Sequence, residues 1–502
     1  MSSKKIILNS IMSLLAQFST IIAQFVVRTY FIRYIGEELV GLDGTLLSIL
    51  NILALAEAGL SSAMIIFLVR PLQEQNKEEV NCIINTFRVM YKYIGMGYII
   101  LAVLIAPFLQ YFISGVQVGN IIYLYYALLT INGAMTYFLS YRKVLLYADQ
   151  QMYVQKTVDS VCCVIFSILQ ILAIAETKSY VIYIILKVSQ TFFDNLIVYM
   201  ICGKKYRYLK NQEMDKELFR KVIPDMKNLF VGQVAGYVYG SSDSLIISKM
   251  ISTIQVAYYN NYFLVVNGLK MLLLSLFNAA VPLLKGLMVE HKNERDKSYH
   301  VFLLYTHLSF ALVAAIIVPA FVLIDPFIVA WVGAKYVMGK VLFLLMILDL
   351  FICVMQNPTG NYIIANGLFS YSKYPDIIGA VTNLVISIFL STGFGMVGIL
   401  YGTVISRTIQ WMIRGHISFK YCFGLGFRDQ IRYWLSNIYK IVVVAAMVLV
   451  AEFITAHLAI SVFLMEFLIK GLISEVVVVL FTIIFFVKSE SQIIIIRWIK
   501  ST

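Results

Sequence analysis

The sequence predicts an all-α integral membrane protein of about 14 transmembrane helices, arranged as two pseudo-symmetric six-helix lobes followed by two further helices. Three observations predict it: an apolar composition, a series of apolar runs of bilayer-spanning length, and basic residues gathered in alternate loops. Of 502 residues, 60% are hydrophobic and 13% charged, and mean hydropathy is +0.84. Soluble chains are about 45–50% apolar and about 25% charged, so a soluble core could not take up this much apolar surface. The net charge of +13 sits in short loops between apolar runs, not on one face of a soluble domain. That placement argues against nucleic acid and for anionic membrane lipids as the partner of the basic residues.

About 20 helical residues cross about 30 Å of hydrocarbon. Runs of that order lie at 7–34, 42–69, 82–108, 118–141, 152–175, 178–201, 226–250, 255–282, 299–324, 338–365, 374–392, 396–419, 436–456 and 461–487. None shows the alternation over about ten residues expected of barrel strands. The first run follows a basic start but is too long for a signal-peptide core and lacks a small-residue cleavage site, so it reads as a retained membrane helix.

The loops test this count, because an error of one span would invert every later loop. With a cytoplasmic N-terminus, the inside segments collect Arg70, Lys77, Arg142, Lys143, Lys204, Lys205, Arg207, Lys285, Lys292, Arg428, Arg432 and Arg497. The outside loops hold only Lys178, Lys249 and Lys335. Both termini are therefore expected in the cytoplasm.

The longest polar stretch separates six spans from eight. The expected organisation is 1–201 as the N-terminal lobe, 202–225 as a basic cytoplasmic linker, 226–420 as the C-terminal lobe, 421–487 as two additional helices, and 488–502 as an interfacial tail. A gapless shift of 216 residues lays spans one and two on spans seven and eight, matching Gln17 with Gln233, Asn51 with Asn267, Leu60 with Leu276 and Glu78 with Glu294. Parallel repeats about an axis along the membrane normal are a recurring transporter plan, with the substrate site between the halves.

Motifs for soluble chemistry do not survive their context. Gly393 to Gly398, GFGMVG, has the dinucleotide-binding spacing but falls in a turn between two membrane spans, with no preceding strand. The five histidines have no metal-ligand spacing and no P-loop is present, so neither a metal nor a nucleotide cofactor is expected. The six cysteines lie mostly within apolar spans and read as buried free thiols.

Charge inside the membrane is costly and normally faces a protein interior or a water-filled cavity. Glu57 lies mid-span in span two, where neither snorkelling nor capping can reach it. Its counterpart under the shift is Leu273, with Lys270 one turn earlier; Arg28 maps to Ser244, beside Asp243. Two opposite-sign pairs, Glu57 with Lys270 and Arg28 with Asp243, are therefore expected across the axis between the lobes. Arg407, Lys187, Asp194 and Asp349 are further cavity candidates, with Asn51 and Asn267 as symmetry-related polar positions. Asp159, Glu466 and Glu475 read as packing or interface charges. Tyrosine-rich runs such as Tyr258 to Phe263 sit at outer helix ends, where an interfacial belt and sugar stacking are both open.

The stretch FIRYIGEELVGLDGTLLSILNILALAEAGLSSA, Phe31 to Ala63, has an aromatic and Arg segment, Ile-Gly, Gly-Leu-x-Gly, then Leu-Ala-Glu-x-Gly before small residues. It resembles the first two helices of bacterial polysaccharide flippases of the multidrug/oligosaccharidyl-lipid/polysaccharide exporter superfamily. Ser241 to Val266, with an aspartate before an aliphatic run and then a tyrosine-rich step, is similar to their seventh and eighth helices. The resemblance implies a non-enzymatic, alternating-access flippase in the bacterial cytoplasmic membrane. Its cargo would be an undecaprenyl-pyrophosphate-linked oligosaccharide, and polymerases and glycosyltransferases of the same pathway its partners. It also implies that Arg28 and Glu57 line the cavity and that Asp243 is the seventh-helix aspartate. Lys270 rests on the pseudo-symmetry alone. Glu57 would hold a phosphate-binding cation in register, or exchange a proton or sodium ion that couples transport to a gradient.

Two other readings compete. A cation-coupled drug antiporter of the same superfamily predicts an acidic, aromatic site, against the basic Arg28, Lys270 and Arg407. A membrane glycosyltransferase, polymerase or ligase needs a sizeable extramembranous domain or loop, and the chain has little length outside the spans.

Overall fold

The computed structural model describes residues 3–117, 119–290, 295–458 and 463–486, and within them it is helical with no strand. Hydrocarbon offers no water to an unpaired peptide group, so each segment must satisfy its own backbone, and helices do so. Contacts divide the chain into two compact units, Met1–Asn261 and Tyr262–Thr502.

In the first unit α1 (Ser3–Tyr34) packs along α8 (Met152–Thr177), α8 on α9 (Tyr180–Lys205), and α9 on α6 (Ile121–Leu139). The chain of contacts continues from α6 to α4 (Lys77–Ile105), from α4 to α3 (Leu55–Gln73), and from α3 to α10 (Lys216–Met250). Helix α2 (Glu37–Leu53) closes it, touching α10, α6 and α1. Short helices α5 (Leu109–Phe112) and α7 (Lys143–Ala148) flank α6. Hydroxyls inside the spans bond back one turn, as Thr20 Oγ1 does to Ala16 O at 2.8 Å, which spares them an unpaired state in an apolar setting.

Span two, expected as one helix, is broken. Ala54 (ψ 3°) separates α2 from α3, and the Tyr137 hydroxyl donates to its carbonyl at 3.2 Å. The break lies three residues before Glu57.

The expected linker docks on the first unit. Asn81 accepts the Lys210 N–H at 2.8 Å, Asn85 donates to the Lys210 carbonyl at 2.8 Å, and Thr86 Oγ1 accepts the Asp215 N–H. Asp215 then caps α10, accepting from the N–H groups of Glu217 and Leu218. These bonds hold its carboxyl below the ordinary aspartate range.

Helix α11 (Thr253–Glu290) passes from the first unit into the second. There α12 (Arg295–Trp331) packs against α13 (Lys340–Met355), α16 (Phe427–Ala456) and α17 (Phe463–Phe486). Pro358 starts α14 (Asn357–Ala365), so the expected span ten also divides. Spans eleven and twelve form one hairpin, α15 (Phe369–Ile417), interrupted at Gly395 with φ +56°. A side chain there would strain the turn, which accounts for the GFGMVG sequence. At one end of this unit Phe302, Tyr362, Phe419, Phe423 and Tyr433 form a buried aromatic cluster. Ten helical stretches among the described residues are long and apolar enough to cross a membrane.

Candidate functional site

The motif GLDG, Gly41 to Gly44, organises the polar centre of the first unit. A Cβ on Gly41 would lie 2.0 Å from the Thr253 carbonyl oxygen, and one on Gly44 would lie 2.1 Å from the Asn260 amide nitrogen. The two glycines therefore let α2 meet the start of α11 at backbone distance.

Between them Asp43, 6% exposed, accepts from the Tyr180 hydroxyl at 2.8 Å and sits 3.8 Å from the Lys187 ammonium. Lys187 also lies 5.7 Å from the centre of the Tyr183 ring. Phe31, Tyr125, Tyr180 and Tyr183 wall this group with ring centroids 4.6–6.1 Å apart. Arg28 lies within electrostatic range of Lys187 and Tyr183.

The Arg28 guanidinium is held from α11. Its Nε donates to Asn261 Oδ1 at 2.9 Å and an NH2 group to the Ala257 carbonyl at 3.2 Å. Asp243 is 5% exposed and accepts from the Tyr259 hydroxyl at 3.4 Å, while Ser244, the shift counterpart of Arg28, donates to Asn260 at 3.4 Å. Tyr258 adds a bond to Glu37 at 3.2 Å. Both members of the expected Arg28 and Asp243 pair thus bond to one short stretch, 257–261, and both lie in the first compact unit.

The side chain of Glu57 lies outside the described residues, and with it the expected pair with Lys270. Lys270 is part-exposed on α11 and has no hydrogen-bond or ion-pair partner among the described residues. Asn51 is exposed, and the described contact of Asn267 is the Met271 sulfur at 4.0 Å. Asp194 pairs with Lys143 at 2.5 Å.

In the second unit Arg407 and Asp349, separate candidates in the sequence, form one forked ion pair with bonds of 2.8 and 3.2 Å. A second group, not expected, joins Asp376 to Gln410 at 2.7 Å and Arg414 at 2.6 Å. The four-residue spacing of Gln410 and Arg414 on one helical face was the available signal. Asp43, Tyr180, Asn260 and Asn261 were likewise not singled out as site residues. For Asp43 the signal was a carboxylate between two glycines within a span. No group of three or more metal-binding side chains occurs among the described residues.

Residues 6–288 match the model of a family described as "Polysaccharide biosynthesis protein". No curated protein matches the chain. Among solved structures it is similar to the lipid II flippase MurJ in an inward closed conformation, with TM-score 0.68 and 15% identity, over 95% of this chain and 99% of that one. It is also similar to an inward-facing multidrug resistance MATE family transporter of the MOP superfamily, with TM-score 0.61 and 12% identity, over 82% and 98%. The eukaryotic MATE transporter AtDTX14 gives TM-score 0.58 and 13% identity, over 86% and 97%. The all-α membrane fold is thus the one these flippases and transporters share.

Proposed function

This chain belongs to the polysaccharide biosynthesis protein family, and we propose that it flips an undecaprenyl-pyrophosphate-linked oligosaccharide across the bacterial cytoplasmic membrane by alternating access. The observation that carries this reading is the cationic pair of Arg28 and Lys187, with Asp43 3.8 Å from Lys187, within the part of the chain that the family model matches. A forked guanidinium and an ammonium suit the oxygens of a pyrophosphate, and the surrounding tyrosine rings suit a sugar face. The bonds of Arg28 include those to Asn261 and a backbone carbonyl, neutral acceptors that an anionic cargo can displace. Bonds that exchange in this way are the differential contacts an alternating-access equilibrium requires. The chain acts as a transporter and not as an enzyme. Its termini are cytoplasmic, its basic loops meet anionic lipid, and its cargo arrives from glycosyltransferases and leaves to a polymerase.

The test is mass spectrometry of polyprenyl-linked glycans from cells depleted of the protein, with add-back of wild type, Arg28→Ala or Glu57→Gln. A completed lipid-linked oligosaccharide accumulates on depletion, wild type clears it, and the variants do not. If no such lipid accumulates, the reading falls. The likeness to MATE transporters then favours a cation-coupled small-molecule antiporter.

A further inference from the structure

The short helix α7 and its neighbours α8 and α9 bring together two carboxyl groups that lie 35 positions apart in the sequence. Asp159 was expected as a packing or interface charge. In the fold its carboxyl is within hydrogen-bonding reach of that of Asp194. The Lys143 ammonium is 2.5 Å from Asp194 Oδ2, and that of Lys156 is 4.0 Å from Asp159 Oδ2. The Oδ1 atoms of both aspartates are nonetheless buried and receive no hydrogen bond.

Two more buried acceptors without a donor lie on the same two helices. Gln155, 7% exposed, is one turn before Asp159 on the same face of α8, and its Oε1 has no donor. Asn195, 1% exposed, follows Asp194, and its Oδ1 has no donor. The remaining groups near the pair are Tyr147 on α7 and Cys162 on α8. On α1, Thr20 faces the neighbouring Cys163. None of these adds a cation to Lys143 and Lys156. Two carboxylates at hydrogen-bonding distance in a low-dielectric interior repel unless a positive particle stands between them. Buried acceptors without donors call for the same thing.

We infer that Asp159 and Asp194 form a proton-binding site in which one proton bridges their orphaned carboxyl oxygens and the Lys143 ammonium steadies the pair when the proton leaves. The step is an exchange with solution: one O–H bond forms on binding and the same bond breaks on release. Two carboxyl oxygens suffice to hold a proton, whereas sodium needs a fuller shell. As the coupling site of a transporter it rests on the flippase reading, but binding itself does not.

Infrared spectroscopy of the full-length protein in lipid nanodiscs tests it. At neutral pH wild type shows a protonated-carboxyl C=O band that shifts in heavy water, and the band is unchanged when sodium replaces choline. Asp159→Asn and Asp194→Asn each remove it, since either leaves one carboxylate that Lys143 or Lys156 can neutralise. Glu74→Gln, on the exposed Arg70 pair, retains it. Absence of the band in wild type, its persistence in both asparagine variants, or its loss on adding sodium would overturn the proposal. The wild-type measurement decides even if a variant fails to fold. A failed band alongside intact clearance of the lipid intermediate removes the site and leaves the flippase reading standing.

Discussion

Two cationic groups, one in each compact unit, are held in different settings. In the second, Arg407 meets Asp349 in a two-bond fork, and Arg414 meets Asp376, so each cation is closed by its own carboxylate. In the first, Arg28 bonds to an amide oxygen and a carbonyl, and Lys187 stands at 3.8 Å from an aspartate already bonded to a tyrosine. Closed pairs resist exchange and act as internal fasteners. A cation whose bonds include an amide oxygen and a carbonyl, or whose carboxylate stands at 3.8 Å, can exchange those contacts for a ligand, and this contrast distinguishes a fastener from a candidate site.

The largest expected effect tests the fasteners. Asp349→Ala leaves the half-buried Arg407 charge without that carboxylate and should cost about 3 kcal/mol, the low end for such pairs, read as a large fall in thermal midpoint by fluorescence-detected size exclusion. A double replacement of Asp349 and Arg407 by leucine should recover most of it. A small effect of the single variant would erase the contrast between the units.

Next is the contact that assembles the first unit. Gly41→Ala places a methyl group on the Thr253 backbone and should destabilise by about 1–3 kcal/mol. Gly44→Ala meets the movable end of Asn260 and should cost less. Reversal of that order in thermal melts would mean that α2 and α11 meet differently.

Arg28→Lys should leave the melt nearly unchanged and slow clearance of the lipid intermediate about tenfold, equivalent to about 1.4 kcal/mol. An ammonium cannot reproduce the planar fork that spans Asn261 and Ala257. Unaltered clearance would assign Arg28 to packing.

The smallest effect concerns the α10 cap. The Asp215 carboxyl is depressed by the N–H groups of Leu218 and Glu217. Its contribution is therefore present above the unfolded-state value and lost as pH falls through and below about 4. Asp215→Asn should flatten that acid limb slightly, as measured by melts across the pH range.

Legibility followed the range of the interaction. The apolar runs and the glycine turn at Gly395 were readable because each is a local property of a few residues. Pseudo-symmetry pointed to Arg28 and Asp243 but could not supply Asn261, 233 positions from Arg28, or Tyr180, 137 positions from Asp43. It also missed the break at Ala54, whose carbonyl accepts from a hydroxyl 83 positions away.

By itself, then, the sequence determined that the chain is a multi-span helical membrane protein with charges inside it, because hydrocarbon forces each apolar segment to satisfy its own backbone. Tertiary structure alone decided which partners each charge meets. Helical periodicity places a side chain on a face, while the identity of its partner depends on which distant helix that face meets.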